Sequence, residues 1–117
     1  MTRSDRSYDQ PRYPLYRVHM AVALRCVEIT KKALGEARTV LPVGAVHVSS
    51  EIASIVGSLD EAQFRFSQKR AGEWVDVYQV ETEVASVWIK LKLETNPHTG
   101  EELVVISFHE WDHSPPD

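Results

Sequence analysis

Apolar and polar residues alternate one for one in the second half of the chain. Val87, Ile89, Leu91 and Leu93 fall on one side, and Trp88, Lys90, Lys92 and Glu94 on the other. That is the period of a strand with one face turned to a core. Runs rich in β-branched and aromatic residues at 74–78 and 103–111 flank it, which predicts three consecutive strands. Asn96-Pro97-His98-Thr99-Gly100 joins the second to the third, with Pro fixing one turn residue and Gly allowing a positive φ.

The first half carries helical spacing. Leu15, Val18, Val22, Cys26, Ile29 and Ala33 recur every three or four residues, predicting one amphipathic helix over 14–36 that ends near Gly35. Residues 38–44 read as a short extended piece broken by Pro42 and Gly44. A second helix is expected from Ser49 or Ser50 as N-cap, with Glu51 in its first turn and Ile52, Ile55 and Val56 buried before Gly57. Ser58-Leu59-Asp60-Glu61 resembles a capping box and predicts a third, short helix that packs Leu59, Ala62 and Phe66. Residues 68–72 then read as a basic, flexible link. Residues 1–13 hold little that packs and are expected to be a flexible tail, as are 114–117, with Tyr8, Tyr13 and Tyr16 able to order on a partner. The remainder, 14–113, is expected to be a single α+β domain, its N-terminal helices packed on one face of a C-terminal antiparallel sheet of three or more strands.

Composition adjusts this picture in three ways. At 117 residues and 43% hydrophobic content, the chain buries enough surface to fold without a staple. Its one cysteine, Cys26, has no disulfide partner and reads as a small buried hydrophobe. No apolar run approaches the roughly 18 residues of a membrane span, and the polar start does not resemble a signal peptide, so a cytoplasmic protein is expected. The balance of 13 basic against 17 acidic residues is unusual for a binder of phosphate backbones. Arg65, Lys69, Arg70, Lys90 and Lys92 nevertheless suffice for a local basic face.

Two stretches carry candidate chemistry. His109-Glu110-Trp111-Asp112-His113 matches the letters of the zinc-peptidase motif, whose chemistry needs both histidines on one face of a helix. These residues instead continue a strand and run into Ser114-Pro115-Pro116. No phosphate loop, nucleophile elbow or paired-cysteine spacing occurs, which leaves kinase, dinucleotide, hydrolase and zinc-ribbon readings without support. His109 alone is the better candidate, since an imidazole can protonate the leaving oxygen when a 2′-hydroxyl attacks a neighbouring phosphate. The alternative is an ordinary histidine at a strand end, as His19, His47 and His98 are read to be structural or surface residues. An exposed Trp88 beside Lys90 and Lys92 would stack a base and hold phosphates; the competing reading is a half-buried sheet with a lysine pair reaching to water. Register across the 96–100 turn decides whether Trp88 and His109 share a face.

Four pieces resemble the motility quorum-sensing regulator family of small bacterial toxins that cleave messenger RNA on a RelE-like fold. They are Leu59-Asp60-Glu61-Ala62-Gln63-Phe64 with Ser67, Trp74-Val75-Asp76-Val77-Tyr78, Val87-Trp88-Ile89-Lys90-Leu91, and Val105-Ile106-Ser107-Phe108-His109-Glu110. Their order and the spacing from Trp74 to Leu91 are those of the family. The resemblance implies a RelE-like fold, endoribonuclease activity and a cognate antitoxin. It also aligns His109 with the family's catalytic lysine, Trp88 with a tyrosine, Val75 with a glutamine and Phe66 with a functional lysine. Relatives within the RelE-like group use a histidine near the end of the last strand as general acid, so the resemblance implies that role for His109.

Three readings follow. The first is a metal-independent endoribonuclease toxin without cofactor, with His109 as general acid, Lys69, Arg70, Lys90 and Lys92 on phosphate, and Trp88 against a base; Asp76, Glu81 and Glu83 are candidates for the base. Its partners are RNA and a cognate antitoxin that covers the sheet face, with no membrane. The second is a catalytically silent protein-binding module of the same fold. The third is a small metal-binding protein built on His109 and His113.

Overall fold

The computed structural model describes residues 5–40, 47–82 and 86–110. Strands β1 (Asp5–Ser7), β2 (Val27–Ile29), β3 (Phe64–Arg70), β4 (Glu73–Glu81), β5 (Ser86–Thr95) and β6 (Glu102–Glu110) form one sheet in the order β1-β3-β4-β5-β6-β2. All neighbours are antiparallel except β2 with β6, which are parallel. Helices α1 (Leu15–Ala23), α2 (Lys31–Val40) and α3 (Val48–Gly57) pack on one face, so the α+β architecture follows the alternation in β4 to β6. Their buried Val18, Ala21, Ala33, Ala37, Val48, Ile52 and Val56 meet Tyr78, Val80, Val87, Ile89, Leu91, Leu93, Val104, Ile106 and Phe108 from the sheet.

The single helix expected over 14–36 is two helices with a strand between them. Helix α1 stops because Arg25 turns left-handed at φ 62°. The Arg25 and Cys26 amides then return to the carbonyls of Val22 and Ala21, the paired bonds of a Schellman ending. Val27-Glu28-Ile29 extends beside β6, and Thr30 restarts a helix by accepting the Ala33 amide on its hydroxyl at 3.1 Å. Helix α3 begins at Val48 after His47 rather than at Ser49 or Ser50. The expected third helix is a 3-10 turn, Glu61–Gln63, capped by Asp60 and Gln63 reciprocally. Phe66 therefore lies on β3 and not on a helix. The expected extended piece at 38–44 is helical as far as Val40, and its remainder lies outside the described residues.

The expected link at 68–72 is strand up to Arg70, followed by a two-residue hairpin turn. Ala71 and Gly72 both have positive φ, 52° and 81°, as a type I′ connection requires. The 96–100 turn forms as expected. The Asn96 side chain accepts the His98 and Thr99 amides, and Gly100 sits at φ 78°.

Residues 5–13, expected as part of a flexible tail, form an ordered arm. After β1 pairs with β3, the arm is pinned by Asp76, which is fully buried on the helix side of β4. Its carboxylate accepts the Arg12 amide at 3.0 Å, the Tyr13 amide at 2.9 Å and the Ser67 hydroxyl at 2.5 Å. The Tyr13 hydroxyl donates to the Trp74 carbonyl at 2.8 Å, and the Arg12 guanidinium stacks 3.6 Å above the Trp74 ring. Arg17 of α1 grips both oxygens of Glu102 on β6.

Two stability predictions arise. Ala71→Asn replaces a residue that resists the left-handed region with one that tolerates it and should add about 0.5–1 kcal/mol, read by urea denaturation. Burial raises the Asp76 pKa above its ordinary 3.8, against the lowering effect of the bonds from Ser67, Arg12 and Tyr13. The native state therefore binds that proton more tightly than the unfolded chain. The contribution is fully present below 3.8 and is lost as pH rises through the raised value. Asp76→Asn should flatten that part of the stability profile, whereas Asp76→Ala strands three donors and should cost on the order of 3 kcal/mol.

Candidate functional site

The other face of the sheet carries no helix among the described residues. Register settles which side chains share it. Trp88 pairs directly with His109, Lys90 with Ser107 and Lys92 with Val105 across β5 and β6. Gln79 and Val77 of β4 stand opposite Trp88 and Lys90. On β3 a bulge between Phe64 and Phe66 resets the alternation, so that Phe66 pairs with Val77, Gln68 with Val75 and Arg70 with Glu73. Trp88, Lys90, Lys92, Arg70 and His109 therefore all occupy positions on this face. Lys69 does not: it pairs with Trp74, in step with Ser67 and Asp76 on the helix side.

Trp88 is not the exposed plate that the alternation suggested. It is 4% exposed and packs with Phe66, 3% exposed, and Val77 in a second apolar cluster. The Phe66 and Trp88 rings lie 6.2 Å apart. From the arm, the Arg6 guanidinium sits 4.3 Å above the Phe66 ring and Tyr8 packs against it at 5.7 Å. Half-buried Arg6 and largely exposed Tyr8 are thus the groups that cover Phe66.

Charge is unevenly distributed along the face. Toward the 96–100 turn, Lys92 is bonded to Glu73 at 2.6 Å and approaches Glu94 at 3.1 Å. Hydrogen bonds to these two carboxylates raise its pKa and hold it protonated, so its charge is already countered. A depression of about 260 Å³ lies alongside, lined by Val75, Lys90, Lys92, Val105 and Ser107 among others. At the opposite end, Arg65 lies over Gln79: its Nε donates to the Gln79 amide oxygen at 3.0 Å, and one terminal nitrogen reaches the Ala62 and Phe64 carbonyls. Arg65 thus brings a guanidinium group to the end of the face where Trp88 and His109 pair, whereas Arg6, in register with Gln68, holds its own over Phe66 on the far edge of the face.

Among the candidate bases, Asp76 faces the helices with its oxygens occupied by three donors. Glu81 pairs with Ser86 at the exposed end of β4 on the helix-free face, and Glu83 lies outside the described residues. His109 and Glu110 are consecutive in strand β6 and so fall on opposite faces. That geometry removes the zinc-peptidase reading; His113 lies outside the described residues. Among the described residues no group of three or more histidine, cysteine, aspartate or glutamate side chains is placed to hold a metal, and no helix is long and apolar enough to cross a membrane.

Sequence reasoning missed Arg6 and Gln79, and took Tyr8 only as a residue able to order on a partner. A signal for β3 was the aromatic-polar alternation of Phe64-Arg65-Phe66-Ser67-Gln68, which marks an edge for the arm to pair with. Residues 10–110 match a family model described as motility quorum-sensing regulator, toxin of MqsA. No curated protein matches the chain.

Burial of Trp88 carries a prediction. Trp88→Ala should destabilise the fold by roughly 3–5 kcal/mol, read by urea denaturation, whereas a solvent-exposed tryptophan would change stability by only about 0.5 kcal/mol.

Proposed function

The chain belongs to the motility quorum-sensing regulator family, a family of toxins with an antitoxin partner, and on that premise we propose that it is a metal-independent endoribonuclease that cleaves messenger RNA. The observation that carries this reading is the direct pairing of His109 with Trp88 on a helix-free sheet face that also holds Arg65 and Lys90. An attacking 2′-hydroxyl gives up its proton to solvent and forms a bond to the adjacent phosphorus while the bond to the 5′-oxygen breaks. His109 gives that oxygen its proton, and the products are a 2′,3′-cyclic phosphate and a 5′-hydroxyl. Arg65 and Lys90 stand on the face where the phosphate's charge must be countered during this step. Trp88, packed beneath the surface, keeps β5 and the histidine's neighbourhood rigid, and it stacks no base unless its cover moves.

The activity is cytoplasmic in this reading, and a cognate antitoxin silences it by covering the same face. A silent protein-binding module is the competing account. It is favoured by the engagement of Lys92 with Glu73 and Glu94, which removes one cation from phosphate binding.

Induction of the parent in bacteria should arrest growth and fragment total RNA. The purified protein should cleave RNA equally well with a chelator present and leave cyclic phosphate ends. His109→Ala should slow cleavage by roughly a hundredfold or more while remaining folded. Soluble parent protein that neither arrests growth nor cuts RNA would sink the ribonuclease reading in favour of the binding module.

A further inference from the structure

We propose that the N-terminal arm forms a nucleotide subsite for single-stranded RNA, with Tyr8 stacking a base and Arg6 holding the adjacent phosphate. The inference rests on the ribonuclease reading above and deepens it. Both residues precede the residues 10–110 that match the family, so membership assigns them no role.

Three observations carry the proposal. The arm is fixed, because β1 pairs with β3 and Asp76 fastens Arg12 and Tyr13. Tyr8 is 63% exposed while its ring packs against Phe66 at 5.7 Å, tilted by 55°. An aromatic ring held by a neighbour and open to water is a stacking platform that any base can use. The Arg6 guanidinium lies over the same Phe66 ring at 4.3 Å, placing a cation beside the platform; alternating aromatics and cations are what a single strand tracks. Phe66 touches Trp88, and Trp88 pairs with His109, so platform and proposed acid share one continuous face. A nucleic acid is favoured over an apolar protein surface because the platform is a single ring flanked by a cation rather than a broad apolar patch.

The sheet sets the length of RNA required. β3, β4, β5 and β6 are consecutive neighbours, and at roughly 4.8 Å per step Phe66 stands on the order of 15 Å from His109. RNA cut near His109 must extend well past the scissile phosphate to reach the arm. A dinucleotide cannot.

The test measures binding of a single-stranded RNA oligonucleotide with 2′-O-methyl riboses, which cannot be cleaved, to the full chain by fluorescence anisotropy. Tyr8→Ala and Tyr8→Leu should each weaken binding roughly tenfold, and Tyr8→Phe should match the parent. Tyr8→Leu keeps an apolar cover over Phe66 and loses only the planar ring, so its loss cannot come from uncovering the cluster. Arg6→Ala should weaken binding and lower the slope of log affinity against log salt by roughly 0.7. Cleavage of a dinucleotide should be the same in all variants. A parent that cleaves RNA while Tyr8→Leu and Arg6→Ala bind the oligonucleotide as it does overturns the subsite and leaves the ribonuclease intact. Loss of affinity for the antitoxin and not for RNA in these variants overturns the subsite in the same way. A parent that neither cleaves nor binds RNA overturns both.

Discussion

The buried carboxylate of Asp76 is the constraint on which the rest of this molecule depends. A charged group taken wholly out of water is costly unless its lone pairs are occupied, and here three donors occupy them: two arm amides and the Ser67 hydroxyl. Those bonds tie β4, β3 and the arm at one point. They fix where the chain enters α1, whose Arg17 then grips Glu102 of β6. They also bring the arm from the helix-free side, where Arg6 and Tyr8 cover Phe66, to the helix side, where Arg12 stacks on Trp74.

The sheet has two unlike apolar layers. Helices cover most of one, and Arg12 and Tyr13 of the arm cover the part around Trp74 and Asp76. The other is a small cluster of Phe66, Val77 and Trp88, with Val75 partly buried beside it, roofed in part by the arm. This second layer gives the helix-free face a rigid floor without making it an apolar patch. Its charge runs from a countered lysine at one end, Lys92 between Glu73 and Glu94, to Arg65 over Gln79 at the other.

What the sequence made legible follows from how each element hides its residues. Strands β4, β5 and β6 alternate because each faces a thick core on one side, and the α+β arrangement follows from them. Strand β2 was concealed because Val22, Cys26, Ile29 and Ala33 keep helical spacing across a left-handed turn at Arg25 that no glycine announces. Strand β3 was concealed because its alternation is short, Phe64 to Ser67, and gives way to the polar run Gln68-Lys69-Arg70, while the capping sequence at 58–61 pointed to a helix. Trp88 looked exposed because its neighbours Lys90 and Lys92 are polar; a second apolar layer on the lysine side cannot be read from one strand. The pairing of His109 with Trp88 depended on the turn at 96–100, whose geometry the sequence suggests but whose register only the assembled sheet fixes.

The parallel pairing of β2 with β6 also governs the order in which the chain can fold during its own synthesis. Val27 and Ile29 are made early, yet their partners Val104 and Ile106 leave the ribosome only after every other strand. Helices α1 and α2 flank β2 and must wait with it, since the apolar surface they cover is completed by β6. The same late strand carries His109. A nascent chain therefore cannot close the core between helices and sheet until β6 has emerged, however early its helices form.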